Sequence, residues 1–287
     1  MSEAPSFDPE KFKAATRAQW NETAGGWNEW SGPIRAWLAE ATTSMLDRAG
    51  VAAGTRVLDV AAGAGDQTLD IARRVGPGGR VLATDLSPGI LEFAKANARR
   101  AGFANVETKE ADAEALGLDR AGFDAAVCRL GLMFCPDPLM ALKGIHRALK
   151  PGGRACVMVF STPDKNPCIA ILMSTALKHA GLPPRDPFQP GGLLSLGKPG
   201  LIDALFEQAG FSEVKTTKLA APFRLPSAAD YLGFIRTSAG PILQILGRLD
   251  AAKRDTAWAE IEAKLKAFET PDGWAGPNEL LLTSGKK

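Results

Sequence analysis

Val57-Leu58-Asp59-Val60-Ala61-Ala62-Gly63-Ala64-Gly65-Asp66 decides the fold. The first four residues read as a strand buried on both faces. The next five are small enough for a tight turn, and a helix begins after them. A chain built this way brings its backbone close to a ligand at the open end of a parallel sheet.

The same alternation continues outward from this stretch. Arg56 to Val60 is the first strand, and Asp66 is placed to cap a helix from Gln67 to Val75. Gly76-Pro77-Gly78-Gly79 turns the chain into a second strand, Arg80 to Thr84, ending in Asp85. Ser87 caps the next helix, with Pro88 near its first position, and Gly102 stops it after Arg100. Strands follow at 105 to 109, 123 to 128 and 154 to 160, with a helix opened by Asp137-Pro138 before the last of them. Runs such as Ala125-Ala126-Val127 and Val157-Met158-Val159 lack polar alternation, as strands covered on both faces do. The order predicts an α/β fold, a doubly wound Rossmann-like parallel sheet with helices on both faces.

The flanks read differently. Residues 8 to 20 have helical spacing, and Trp20, Trp27 and Trp30 follow, interrupted by Gly25-Gly26. Three indoles so close together need apolar cover, as core or as the wall of a pocket. Ser31-Gly32-Pro33 opens a further helix that Gly50 ends. After Phe160 the chain is rich in Pro and Gly, with helices at 169 to 179 and 199 to 208 and a sixth strand at 214 to 219. Two or three amphipathic helices span 226 to 269, and a last strand runs from 279 to 283. Long insertions at the end of an α/β core act as lids. The expected organisation is a single extended domain: an N-terminal helical cap (1–50), a ligand-binding core (51–160), and lid insertions that complete the sheet (161–287).

Composition excludes several classes. The net charge of +2 without blocks of like charge does not call for nucleic acid or an anionic membrane surface. The polar start, Met1 to Pro9, does not read as a signal peptide, and no window is apolar enough for a membrane span. Cys128, Cys135, Cys156 and Cys168 match no metal or redox spacing and read as reduced thiols in the core of a cytoplasmic protein. No metal site is expected.

Two ligand classes use a strand–turn–helix site of this kind. A dinucleotide site wants G-x-G-x-x-G, but Gly63-Ala64-Gly65-Asp66-Gln67-Thr68 lacks the third glycine. Asp59 and Asp66 would also set carboxylates beside a pyrophosphate, whereas a ligand carrying an ammonium and a sulfonium welcomes them. Asp85, at the tip of the second strand, suits a ribose diol, and Asp112 suits an exocyclic amine, although either can also be a cap or turn residue. All lie at the ends of successive strands, where open α/β sheets bind ligands.

The set resembles the class I S-adenosylmethionine-dependent methyltransferases, most closely the ubiquinone/menaquinone-biosynthesis type. The resemblance rests on 57–66, on Val81-Leu82-Ala83-Thr84-Asp85-Leu86-Ser87, on Ala111-Asp112-Ala113, on Phe123-Asp124-Ala125-Ala126-Val127 and on Leu149-Lys150-Pro151-Gly152-Gly153-Arg154. It implies a seven-stranded sheet whose last strand is antiparallel, between the fifth and sixth. It further implies that Asp59, Ala61, Gly63 and Gly65 hold the methionine end of S-adenosylmethionine. Asp85 and Leu86 would border the ribose, Asp112 and Ala113 the adenine, and Arg129 and Leu130 would sit beside the cofactor. Ala61 stands where the family has its first glycine, a departure that a negative φ would accommodate.

The acceptor is expected from the lid side: a small or medium apolar or aromatic molecule, with Trp20, Trp27, Trp30 and Tyr231 as candidate contacts. His179 and Tyr231 are the candidates for proton transfer, though packing or surface roles fit both. A catalytically silent cofactor-binding or interaction protein and, further off, an NAD(P)-dependent oxidoreductase are the alternatives. Monomer and homodimer are equally compatible with the sequence.

Overall fold

Burial of the apolar strands on both faces requires helices above and below the sheet, and a computed structural model, described here for residues 8–287, has that arrangement. The reading of the first seven residues lies outside the described part. Helices α1 (Pro9–Glu29) and α2 (Ser31–Arg48) precede β1 (Arg56–Val60), α3 (Asp66–Val75), β2 (Arg80–Asp85), α4 (Pro88–Arg100) and β3 (Val106–Glu110). Then come β4 (Phe123–Arg129), α5 (Pro138–Ala148), β5 (Leu149–Phe160), α6 (Pro167–His179), α7 (Leu201–Gln208) and β6 (Ser212–Ala220). The C-terminal part holds β7 (Phe223–Leu225), α8 (Ala228–Ser238), α9 (Gly240–Leu246), α10 (Ala251–Leu265), β8 (Glu269–Thr270), β9 (Gly273–Gly276) and β10 (Glu279–Lys286).

The main sheet has the order β3-β2-β1-β4-β5-β10-β6. β1 pairs in parallel with β2 and β4, while β10 runs antiparallel to both β5 and β6, as the resemblance implies. The strand order reverses at β1, so a crevice opens where the chains leaving β1 and β4 diverge. Val57, Leu58 and Asp59 have no exposed surface, which places a carboxylate inside the sheet.

Helix starts follow local chemistry. Asp8, Ser87 and Asp137 each accept backbone N–H bonds at the start of α1, α4 and α5, with proline in the first turn of each helix. α3 departs from the expectation: Gly65, in the left-handed region at φ 92°, is the cap, and Asp66 is already helical. A Cβ on Gly65 would come within 3.0 Å of Ala94, so this glycine also lets α3 approach α4. α1 is longer than expected. It passes unbroken through Gly25-Gly26, and glycine is needed at 26 because a side chain there would collide with the Thr237 carbonyl of α8. Gly26 permits close packing, Gly25 faces open space, and neither breaks the helix. β5 begins at Leu149 and so takes in the Pro151-Gly152-Gly153 segment that reads as a turn, at the cost of a register shift against β4.

A second sheet, β7-β9-β8, was not expected. It carries Trp274, which is fully buried and donates its indole N–H to the Leu265 carbonyl. α2 buries Leu38 and Met45 in the main core, and its Trp37 stacks on Phe223 with centroids 4.6 Å apart. Three helices occupy 228 to 265, at the upper end of the expected number. Among the described residues no helix is long and apolar enough to cross a membrane.

Candidate functional site

The turn after β1 is shaped by three left-handed residues in alternation: Ala61 at φ 54°, Gly63 at φ 58° and Gly65 at φ 92°. Ala61 therefore does not keep a negative φ. It adopts the glycine conformation with a methyl group attached, at a cost of about 1–2 kcal/mol. Its Cβ fills the space above Gly131, which any side chain at 131 would need. The glycine absent at 61 has a counterpart at 131, in the loop after β4. Gly63 has only Ile90 near its missing side chain, at 3.9 Å, so this part of the turn is open to a ligand.

Asp59 accepts from Gln67 Nε2 at 3.1 Å and from Thr68 Oγ1 at 2.6 Å. Burial pushes its pKa up to about 6, against the pull of these donors and of Arg129. Asp66 turns away from the glycines. It accepts from Ser31 Oγ and faces the buried Arg129 guanidinium at 3.7 Å. Arg129 also donates to Thr42 Oγ1 at 3.0 Å. Burial raises the Asp66 pKa and lowers that of Arg129, so at this separation the ion pair does not offset the desolvation of either partner. Asp66 is thus an anchor between α3 and the α2 region, and the argument that its charge repels a pyrophosphate loses force. Arg129 likewise points into this buried network from the end of β4.

Asp85 ties two turns together. One oxygen accepts the Gly63 N–H at 3.0 Å and the other accepts the Ser87 N–H at 3.0 Å. Burial raises its pKa despite these bonds. A carboxylate oxygen accepts two hydrogen bonds, so each has capacity left for a hydroxyl of a ribose diol. Leu86 lines the adjoining cleft. Leu130, at φ 54°, donates its N–H to the Met158 carbonyl, which fixes the loop after β4 beside Ala61.

At the adenine end the structure adds partners that no motif announces. Asp112 accepts from the Glu114 N–H at 2.9 Å and pairs with Lys13 Nζ at 2.8 Å. Lys13 also reaches Glu114 at 2.6 Å, and Arg17 pairs with Glu110. Ala113 lies in the turn that these residues close. Helix α1 thus lies along the sheet edge, and Lys13, Arg17 and Asn21 line one side of a cleft of about 420 Å³ whose other side includes Leu86 and Asp112. The polar stripe Lys13, Arg17, Asn21 at i, i+4, i+8 is the one sequence signal that could have shown a helix face meeting polar groups. A cleft of about 510 Å³ lined by Arg48, Arg154 and Glu213 lies at the opposite, amino ends of the parallel strands. Open α/β sheets bind at the carboxyl ends, so the cleft under α1 is the donor-site candidate.

The aromatic residues divide. Trp20 packs edge-on to Phe134 at 5.3 Å and against Trp27 at 5.4 Å, and Trp27 packs edge-on to Phe234 at 5.6 Å. Phe134 follows the loop after β4, so this row runs from the donor crevice to the lid helix α8. Phe134 and Phe234 escaped sequence reading because neither lies in a motif. The Trp27 indole donates to the Ser238 carbonyl, and Trp30 touches Phe234. Tyr231 is buried against Trp274 at 4.5 Å and burial raises its pKa strongly, a packing environment for this phenol. His179 meets Glu260 at 2.8 Å, within a clasp that also holds Lys178 and Lys264 and joins α6 to α10. The four cysteines are free thiols. Cys128 is held in its neutral form by burial, its pKa pushed up to about 12.

The model of the ubiE/COQ5 methyltransferase family matches residues 35–176. A demethylmenaquinone methyltransferase of Lactococcus lactis is 39% identical over 118 residues, 41% of this chain and 47% of that protein. The ubiquinone/menaquinone biosynthesis C-methyltransferase UbiE of Hahella chejuensis is 38% identical over 126 residues, 44% of this chain and 50% of its own. The chain thus spans about half the length of the curated relatives it matches. Among solved structures, the YcgJ protein of Bacillus subtilis superposes with a TM-score of 0.58 at 20% identity, covering 87% of this chain and 98% of that one. A Bacillus halodurans protein described as a putative methyltransferase gives 0.57 at 21% identity, covering 86% and 98%. These likenesses establish the fold.

Proposed function

We propose that this chain, whose residues 35–176 match the model of the ubiE/COQ5 methyltransferase family, transfers a methyl group from S-adenosylmethionine to a small or medium apolar or aromatic acceptor. The observation that carries this reading is the charge balance around the turn. Asp59 and Asp85 are both shifted by burial toward their neutral forms, and the buried Arg129 is already paired with Asp66. A ligand that brings its own positive charge relieves that imbalance. An anionic dinucleotide would worsen it.

When bound, S-adenosylmethionine supplies a methyl group already activated on a sulfonium. The chain's own part is to position and to exclude water. Asp85 receives the ribose hydroxyls on its free lone pairs, and the left-handed turn from Ala61 to Gly65 bounds the methionine end. Holding reactants in line accounts for roughly 7–11 kcal/mol of a barrier in well-oriented cases. The row Trp20, Trp27, Phe134 and Phe234 supports an apolar or aromatic acceptor on the lid side. His179 and Tyr231 are engaged in a clasp and in core packing, and this reading gives neither a proton to move. The acceptor class is tested by offering labelled S-adenosylmethionine with quinols, phenols, amines and thiols. Label transfer to aromatic acceptors supports the reading, and transfer confined to polar amines or thiols refutes the acceptor class. Donor bound without transfer to any acceptor in the panel favours the silent alternative.

A further inference from the structure

The two halves of α1 are held differently. The C-terminal half contains the helix's buried residues, Thr23 and Ala24. It is fastened to the core by Asn21, which accepts from Ser87 Oγ at 2.5 Å and from the Gly89 N–H at 3.0 Å, and by Asn97 Nδ2 donating to Asn28 at 2.9 Å. The N-terminal half has no fully buried residue among those described. Its Phe12 ring lies against Gly191, and across the crevice it is held by charge, through Lys13 to Asp112 and Glu114 and through Arg17 to Glu110. A segment with little buried apolar surface opens at low free-energy cost once its polar ties are broken.

Those ties sit on the donor site. Lys13 holds the carboxylate proposed for the adenine amine, and its side chain is 17% exposed, Asp112's 28% and Glu114's 10%. Burial works against the Lys13 charge, but the hydrogen bonds and charges of Asp112 and Glu114 prevail and hold it more firmly protonated than usual.

We propose that the first half of α1 is an ion-latched strap over the donor crevice: Lys13 and Arg17 must release Asp112 and Glu110 for the cofactor to enter. When the strap closes again, Glu114 keeps Lys13 while the purine takes its place on Asp112. This rests on the donor-site reading above and adds the residues that control entry. Because the same helix carries Trp20 and Trp27, closing over the donor also sets one wall of the acceptor pocket.

The test is stopped-flow tryptophan fluorescence with S-adenosylmethionine, a net cation, and S-adenosylhomocysteine, net neutral, on the full chain at several salt concentrations. In the wild type, salt should speed association of both ligands, because ions screen the charges that separate as the strap lifts. Lys13→Met should speed both by about tenfold and weaken the salt dependence, and Glu114→Gln should act in the same direction to a smaller extent. Acceleration of the cationic ligand alone would mean that Lys13 repels it electrostatically and would overturn the strap. Rates unchanged by either variant and by salt would overturn it as well. If neither ligand binds the wild type, the donor-site reading itself fails, and the strap with it.

Discussion

The methyl group of Ala61 occupies the space that a side chain at Gly131 would need, so the turn after β1 and the loop after β4 are fitted to each other. Ala61 pays a left-handed backbone cost at φ 54°, and Gly131 accommodates its methyl. Ala61→Gly should therefore raise stability by up to about 1 kcal/mol. Gly131→Ala should cost about 2 kcal/mol or more alone and less in the Ala61→Gly background. Chemical denaturation of the two single variants and the double variant gives the coupling. Additive effects would mean that the two positions are not in steric contact.

Asp59 links stability to pH. Its folded pKa of about 6 lies above the ordinary carboxylate value of 3.8, so between these values the folded state binds more protons than the unfolded state. Stability from this group is therefore present at low pH, falls as pH rises from about 4 to about 6, and stays lost above that. The shift of about two units corresponds to roughly 3 kcal/mol. Asp59→Asn keeps one acceptor oxygen, for Gln67, can donate its amide to the Thr68 hydroxyl oxygen, and removes the buried charge. It should be more stable than the wild type at pH 8 and lose that advantage near pH 4, measured by urea denaturation at both pH values.

The same group sets a pH dependence for the donor. A cationic ligand favours ionised Asp59, so binding below pH 6 releases a proton. Affinity for S-adenosylmethionine should rise by up to about tenfold per pH unit below 6 and level off above it. Calorimetry in buffers of different ionisation enthalpy counts that proton. Asp59→Asn should flatten the profile, and a wild-type affinity that does not change from pH 5 to 8 would remove Asp59 from the donor site.

Asp85 combines two tasks, because the carboxylate that would receive the ribose also holds the Gly63 and Ser87 amides. Asp85→Ala should weaken S-adenosylmethionine and also cost about 1–3 kcal/mol of stability through the stranded amides. Asp85→Asn keeps one acceptor and should separate the effects, with most stability retained and affinity reduced. Retained affinity in both variants would refute the ribose assignment.

The aromatic row predicts a division of effects. Trp20→Ala should raise the acceptor KM and leave donor affinity within about twofold, whereas Trp37→Ala should mainly destabilise, by about 3–5 kcal/mol. Trp37 stacks on Phe223 and donates its indole N–H to the Ala221 carbonyl at 2.7 Å, so it belongs to the core and not to the acceptor wall. Thermal melts and steady-state kinetics on both variants distinguish the two roles.

What was legible in the sequence is what local chemistry determines. The strands of the core and the Ser87 and Asp137 caps follow from buried runs and cap residues, and the position of β10 follows from the family resemblance. Contacts made across the chain were not legible. The reading of Gly25-Gly26 as a break failed because only the approach of Thr237 shows why glycine is needed at 26. Asp66 looked like a cap facing the ligand until Ser31 and Arg129 were placed on it. β7, β8 and β9 are two to four residues long, too short for periodicity to reveal. Lys13 carries no motif, and its importance comes entirely from lying over Asp112.

The most direct test of the central claim is calorimetric titration of the full chain at pH 7.5 with S-adenosylmethionine and, separately, NADH. Saturable binding of S-adenosylmethionine that Asp85→Asn weakens, with no binding of NADH, is the predicted result. Binding of NADH with no binding of S-adenosylmethionine would contradict the account.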